Sequence, residues 1–209
     1  MVAEAIVRPL ARLGVTPNGL TVTGFLFNLV TAAVIATGHI SVGGLLLFLS
    51  GGFDMLDGAL ARVAKQGSKF GAFLDSMLDR YSEAFILLAL IYVFTVRHDT
   101  VAVLLVYAVA MGSILISYAR ARAEGLGLKA KVGIAPRPER ILILGLGLLL
   151  NFRTAIGALV LLAVLTNVTA VQRLYHVWRQ TRSVPVGPDE GVAQEPEAPA
   201  PEQTRSHVG

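Results

Sequence analysis

Apolar residues in this chain fall into six runs separated by short polar or glycine-bearing breaks: 18–37, 42–64, 69–96, 101–118, a shorter stretch after Pro138, and 155–177. A bilayer-crossing helix needs about 20 apolar residues, and the first run, opened by Thr16 as N-cap and Pro17 in the first helical position, has that length. Gly38-His39-Ile40-Ser41 and Arg97-His98-Asp99-Thr100 read as turns, the second with Thr100 capping the next helix, and Arg153-Thr154 as another. The segment 125–138, GLGLKAKVGIAPRP, has no periodicity and reads as a loop.

Ahead of the first run, Val2, Ile6, Leu10 and Leu13 recur at helical spacing, with Glu4, Arg8 and Arg12 elsewhere around the helix. Residues 1–15 therefore read as an interfacial amphipathic helix. They lack the long apolar core and small-residue cleavage site of a signal peptide. From residue 183 onwards the chain has five prolines in 27 residues and almost no bulky apolar groups, so 183–209 reads as a disordered tail. The pattern predicts an all-α integral membrane protein: an N-terminal interfacial amphipathic helix (1–15), a six-helix transmembrane domain (16–182) and a disordered tail (183–209).

Composition agrees, with 54% apolar residues, 15% charged and a mean hydropathy of +0.65. The absence of cysteine excludes disulfides and thiolate chemistry. Net charge is +4, but the basic residues cluster at helix ends, which argues against nucleic-acid binding and for anionic headgroups and phosphorylated substrates. With six spans and both termini on one side, that side holds 16 of the 18 Lys and Arg, leaving Arg97 and Arg153 opposite. The positive-inside rule then predicts a multi-pass cell-membrane protein with both termini and the site at the cytoplasmic face.

One stretch stands out against this background. Residues 54–80 read DMLDGALARVAKQGSKFGAFLDSMLDR. Asp54 and Asp57 are three apart, Asp75 and Asp79 four apart, so each pair projects from one helix face. The connection is short, so the helices run antiparallel and the four carboxylates are drawn together. Acids gathered at membrane depth repel one another and are costly to desolvate unless a cation sits among them. All-oxygen ligands favour a hard ion, Mg²⁺ or Mn²⁺, and two pairs can hold two ions. Gly58, Ala61 and Gly71 would let a bulky phosphorylated ligand approach the backbone.

The spacing Asp54-x-x-Asp57-Gly58-x-x-Ala61-Arg62, eight residues, Gly71-x-x-x-Asp75-x-x-x-Asp79 resembles the complete signature of the CDP-alcohol phosphotransferase family. The resemblance implies a membrane enzyme that uses two divalent ions to displace CMP from a CDP-linked lipid by attack of a second alcohol. It implies Asp54, Asp57, Asp75 and Asp79 as metal ligands, Asp79 as catalytic base, and Asn18, Asp57, Gly58, Ala61, Arg62 and Gly71 at the nucleotide. It also implies a homodimer.

A second, basic constellation comprises Arg120, Arg122, Lys129, Lys131, Arg137, Arg140 and Arg173. Each alone suits a membrane flank; together, guanidinium groups from three helix ends suit a phosphate. Ser117-Tyr118-x-x-Ala121-Arg122-Ala123-Glu124, Arg137-Pro138-Glu139-Arg140 and Val171-Gln172-Arg173-Leu174 are similar to the actinobacterial phosphatidylinositol-phosphate synthases and their archaeal relatives. That likeness implies Arg120, Arg122, Arg140 and Arg173 as ligands of the phosphate of inositol 1-phosphate; position 120, commonly Lys in the actinobacterial enzymes, is Arg here. The expectation is transfer from CDP-diacylglycerol, or an archaeal-type CDP-lipid, to a phosphorylated polyol among membrane lipids. Glycerol 3-phosphate as acceptor, in a phosphatidylglycerol-phosphate synthase, is the nearest alternative. An ion transporter or channel would account for the acids alone, and leaves Gly58, Ala61, Arg62 and Gly71 unexplained.

Overall fold

The computed structural model describes residues 16–64, 68–130 and 132–182; of residues 52–59 and 61–64 it describes the helical backbone and not the side chains. The expected helix over 1–15 and tail over 183–209 lie outside the described residues. Six helices follow in order: α1 (Pro17–Ala36), α2 (Ile40–Ala64), α3 (Lys69–Val96), α4 (Thr100–Gly125), α5 (Arg137–Leu150) and α6 (Phe152–Thr181).

Their starts follow from local chemistry. Gly19 N–H donates to Thr16 Oγ1 at 3.1 Å, with Pro17 next, as the sequence leads one to expect. At α4 the cap is Asp99 rather than Thr100, its carboxylate accepting from Ala102 N–H at 2.9 Å. At α6 the expected Arg153-Thr154 turn is instead the first helical turn. Asn151 Oδ1 accepts from Arg153 N–H and Thr154 N–H, and Thr154 Oγ1 accepts from Asn151 N–H at 3.0 Å. This reciprocal cap starts the helix three residues earlier than the apolar pattern does.

Packing sets the helices in a closed ring, in the order α1, α2, α5, α6, α4, α3 and back to α1. The chain alternates direction, so the N-termini of α1, α3 and α5 and the C-termini of α2, α4 and α6 share one end. The opposite end holds the three tight connections, where the Arg97 guanidinium lies 3.8 Å above the Phe152 ring. The interior is apolar, centred on Phe94, Ile35, Leu90, Leu148, Leu159 and Leu162. On α1 the buried residues Leu20, Gly24, Asn28, Thr31, Ala32 and Ile35 form one stripe.

At the α2–α5 interface a Cβ on Gly44 would lie 2.5 Å from Leu149 N and 2.8 Å from Gly145 O, so only glycine admits the two backbones this close. The outer surface is apolar too: Leu26, Val30, Leu104, Tyr107, Leu161 and Val164 are all exposed. An apolar exterior around an apolar core is the arrangement of a protein dissolved in lipid. By length and composition α1, α4 and α6 can cross a membrane. α3 has 28 residues but carries Lys69, Asp75, Asp79, Arg80 and Glu83, and α5 has only 14 residues.

Candidate active site

The site is built at the shared end of the ring. Ser68 caps α3, its hydroxyl accepting from Gly71 N–H at 2.8 Å. A Cβ at Gly71 would fall 2.7 Å from Asn18 Oδ1, so the missing side chain is what lets the first turn of α1 meet the first turn of α3. Asn18 and Gly71, both expected at the nucleotide, are therefore neighbours.

One and two turns further along α3 come Asp75 and Asp79, both partly buried. Asp54 and Asp57 lie in the helical backbone of α2; their side chains, with Gly58, Ala61 and Arg62, fall outside the described residues. Among the described residues no three His, Cys, Asp or Glu side chains come together. A metal set at this end therefore needs the α2 acids alongside Asp75 and Asp79. The donor chemistry fits, since every candidate ligand is a carboxylate, the preference of Mg²⁺ and Mn²⁺.

Asp79 is engaged from the opposite side of the ring. Its Oδ1 is 2.9 Å from Arg137 Nη1, at the start of α5, and its Oδ2 is 3.6 Å from Arg80 Nη1. Four residues on, Glu83 meets Arg140 in a two-bond fork: Arg140 Nε donates to Oε1 at 3.1 Å and Nη2 to Oε2 at 2.9 Å. Arg140 Nη1 also donates to Ala135 O at 3.2 Å, and the side chain is only 5% exposed. α3 and α5 are not ring neighbours, so these two pairs span the interior. Asn28, Ser82, Glu83, Arg137 and Arg140 border a cavity of about 30 Å³ between them, room for about one water.

The basic constellation gathers on the same end. Arg80, Arg120 and Arg140 lie within electrostatic reach of Arg173, with Glu124 opposing them. Arg173 is 8% exposed and gives Nη1–H to Ile116 O at 2.6 Å and Nε–H to Val132 O at 2.9 Å. Arg140 and Arg173 are thus buried and bonded inside the ring, unlike the flank residues that their positions near helix ends allow. Arg120 pairs with Glu124 at 2.9 Å on the exposed end of α4, and Arg122 is exposed one turn before the helix ends. The connecting segment is held over them by Ala135 N–H to Thr169 Oγ1 at 3.3 Å and by Gln180, which bonds both N–H and C=O of Lys129.

Sequence reasoning passed over Glu83 and the role of Arg80, whose Nε donates to Ser117 Oγ at 3.2 Å. The signal for Glu83 was its spacing: it lies four residues after Asp79, on the same helix face.

Comparison with known proteins adds the family. A sequence model described as CDP-alcohol phosphatidyltransferase matches residues 14–172. The archaetidylinositol phosphate synthase of Pyrococcus horikoshii is 42% identical over 117 residues, 56% of this chain and 60% of that relative's length. The crystal structure of Mycobacterium tuberculosis phosphatidylinositol phosphate synthase with CDP-DAG bound superposes with a TM-score of 0.79 at 33% identity, covering 85% of this chain and 94% of that one. A second structure of that protein, in complex with manganese and citrate, gives a TM-score of 0.77 at 34% identity over 84% of this chain and 88% of that one. With the family match running from the start of α1 into the last third of α6, this chain belongs to the CDP-alcohol phosphatidyltransferase family.

Proposed function

We propose that this protein is a divalent-metal-dependent membrane phosphatidyltransferase that joins a CDP-linked lipid, CDP-diacylglycerol or an archaeal-type equivalent, to inositol 1-phosphate and releases CMP. The observation that carries this reading is the meeting of two chemistries at one end of the ring. Asp79 and Glu83 of α3 pair there with Arg137 and Arg140 of α5, and Arg80, Arg120 and Arg140 cluster about Arg173 beside them. The manganese-bound structural neighbour supports a divalent ion, and the relative named above supports an inositol phosphate acceptor.

In this reading Asp54, Asp57 and Asp75, with Asp79 completing the set, would hold two ions, Mg²⁺ or Mn²⁺. Ions so held would neutralise the donor diphosphate and the departing CMP. Asn18, Gly58, Ala61, Arg62 and Gly71 bound the nucleotide, the small residues by leaving room and Arg62 by pairing with phosphate. Asp79 accepts the proton of the attacking acceptor hydroxyl as the new O–P bond forms and the bond to CMP breaks. Arg120, Arg122, Arg140 and Arg173 receive the acceptor's phosphate. Residues 16–182 form the catalytic unit, with six membrane-crossing helices, the site and both termini on the cytoplasmic side, and a homodimer as the working assembly.

The test is CMP release by purified protein given CDP-diacylglycerol and, separately, inositol 1-phosphate, glycerol 3-phosphate and inositol, each with and without chelator. Release that needs inositol 1-phosphate and stops with chelator supports the reading. Preference for glycerol 3-phosphate, or equal use of unphosphorylated inositol, overturns the acceptor assignment.

A further inference from the structure

Glu83 belongs to neither the metal motif nor the basic constellation, yet it is the partner of Arg140, the most deeply buried arginine among the described residues. We infer that Glu83 is a positioning residue for the acceptor-phosphate pocket, acting through Arg140; the inference rests on the function proposed above.

A guanidinium buried beside other arginines needs a compensating charge. Arg140, Arg80 and Arg120 all lie near Arg173, so Arg140 sits in a positive field that Glu83 offsets. The geometry does more than neutralise. A fork of two parallel hydrogen bonds fixes the plane of a guanidinium as well as its position. Of the five N–H donors of an arginine, those on Nε and Nη2 facing Glu83 and one on Nη1 facing Ala135 O are committed. The guanidinium therefore has one defined orientation in which to offer its remaining donors to a phosphate.

The register ties this to the chemistry. Asp79 and Glu83 are successive residues on one face of α3, and Arg137 and Arg140 are successive on one face of α5. Glu83 thereby fixes the distance between the phosphate-binding guanidinium and the carboxylate proposed to take the acceptor's proton. A phosphate held in the wrong place would leave the attacking hydroxyl out of line, so the loss should fall on the acceptor rather than on the lipid donor.

The experiment compares wild type, Glu83→Gln, Glu83→Asp, Arg140→Lys and the Glu83→Gln/Arg140→Lys double variant, as purified full-length protein in detergent. KM for inositol 1-phosphate and for CDP-diacylglycerol are measured separately, along with thermal stability. Expected are a rise in acceptor KM of about tenfold for Glu83→Gln, a smaller rise for Glu83→Asp, and a donor KM within about twofold of wild type. Since Glu83 acts through Arg140, the double variant should resemble Arg140→Lys alone. An unchanged acceptor KM in Glu83→Gln, or in Glu83→Asp where the Gln variant does not yield folded protein, overturns the inference. So does an equal rise in both KM values in proportion to lost stability, which would make the pair a clip between α3 and α5 and nothing more. Absence of inositol 1-phosphate-dependent CMP release in wild type would instead remove the proposed function, before any variant is compared.

Discussion

Asn18 Oδ1 occupies the space that a side chain on Gly71 would need, at 2.7 Å from the position of its Cβ. The obstructing atom is the tip of a side chain and not backbone, so Gly71→Ala should leave the fold intact and push Asn18 aside. The expected outcome is an increase of about tenfold in the KM for the CDP-lipid, with acceptor KM and thermal stability little changed. A variant with wild-type donor KM would separate Asn18 from nucleotide binding.

The four acids should not respond alike. Asp79→Asn is expected to abolish CMP release while CDP-lipid binding persists, because loss of a base need not release ions held by the other three. Asp57→Asn should weaken metal and nucleotide binding together. Metal titrations and donor binding measured on both variants decide, and appreciable turnover by Asp79→Asn would end its assignment as base.

Arg173 and Arg122 offer a contrast between buried and exposed members of the proposed phosphate site. Arg173→Ala removes two hydrogen bonds from a charged donor to Ile116 O and Val132 O, each worth about 1.5–3 kcal/mol. It should lower thermal stability and cut kcat/KM for the acceptor by about one to two orders of magnitude. Arg122→Ala should raise acceptor KM with stability unchanged. Identical stability losses in the two variants would contradict the burial difference.

Gly44→Ala probes the ring itself. Its new methyl group would press on Leu149 N and Gly145 O, both backbone atoms that cannot swing away. A loss of about 1–3 kcal/mol is expected, read as a lower unfolding temperature in detergent. An Ala variant as stable as wild type would mean that α2 and α5 separate easily.

What the sequence disclosed follows the range of the interactions. Thr16 and Pro17 announce the start of α1 because a cap is settled within three residues. The turn before α6 misled because Arg153 and Thr154 look like loop residues until Asn151 is seen to bond both of their N–H groups. The acids and arginines were legible as residue types at helical spacings. That Arg140 and Arg173 are buried was not, since it depends on Glu83, Ile116 and Val132 arriving from elsewhere in the chain. Nor does any local pattern state that α5 sits between α2 and α6, an order set by close approaches such as that of Gly44 to Gly145.

The brevity of α5 has a consequence for where the reaction occurs. Its 14 residues rise about 21 Å, some way short of the roughly 30 Å of hydrocarbon in a bilayer. Its far end is tied to α6 at Asn151, so α5 reaches less far towards the site end than its neighbours, and the described residues 132–136 leading into it are not helical. Non-helical backbone in a membrane protein is tolerated only where protein or water satisfies it. Arg173 and Arg140 provide for Val132 O and Ala135 O, standing in for solvent. The result is a lower stretch of rim between α2 and α6, at the end of the ring that carries the candidate site. On the function proposed above, such a step would let a lipid-borne diphosphate enter sideways from its own leaflet while a water-soluble acceptor enters from the aqueous side.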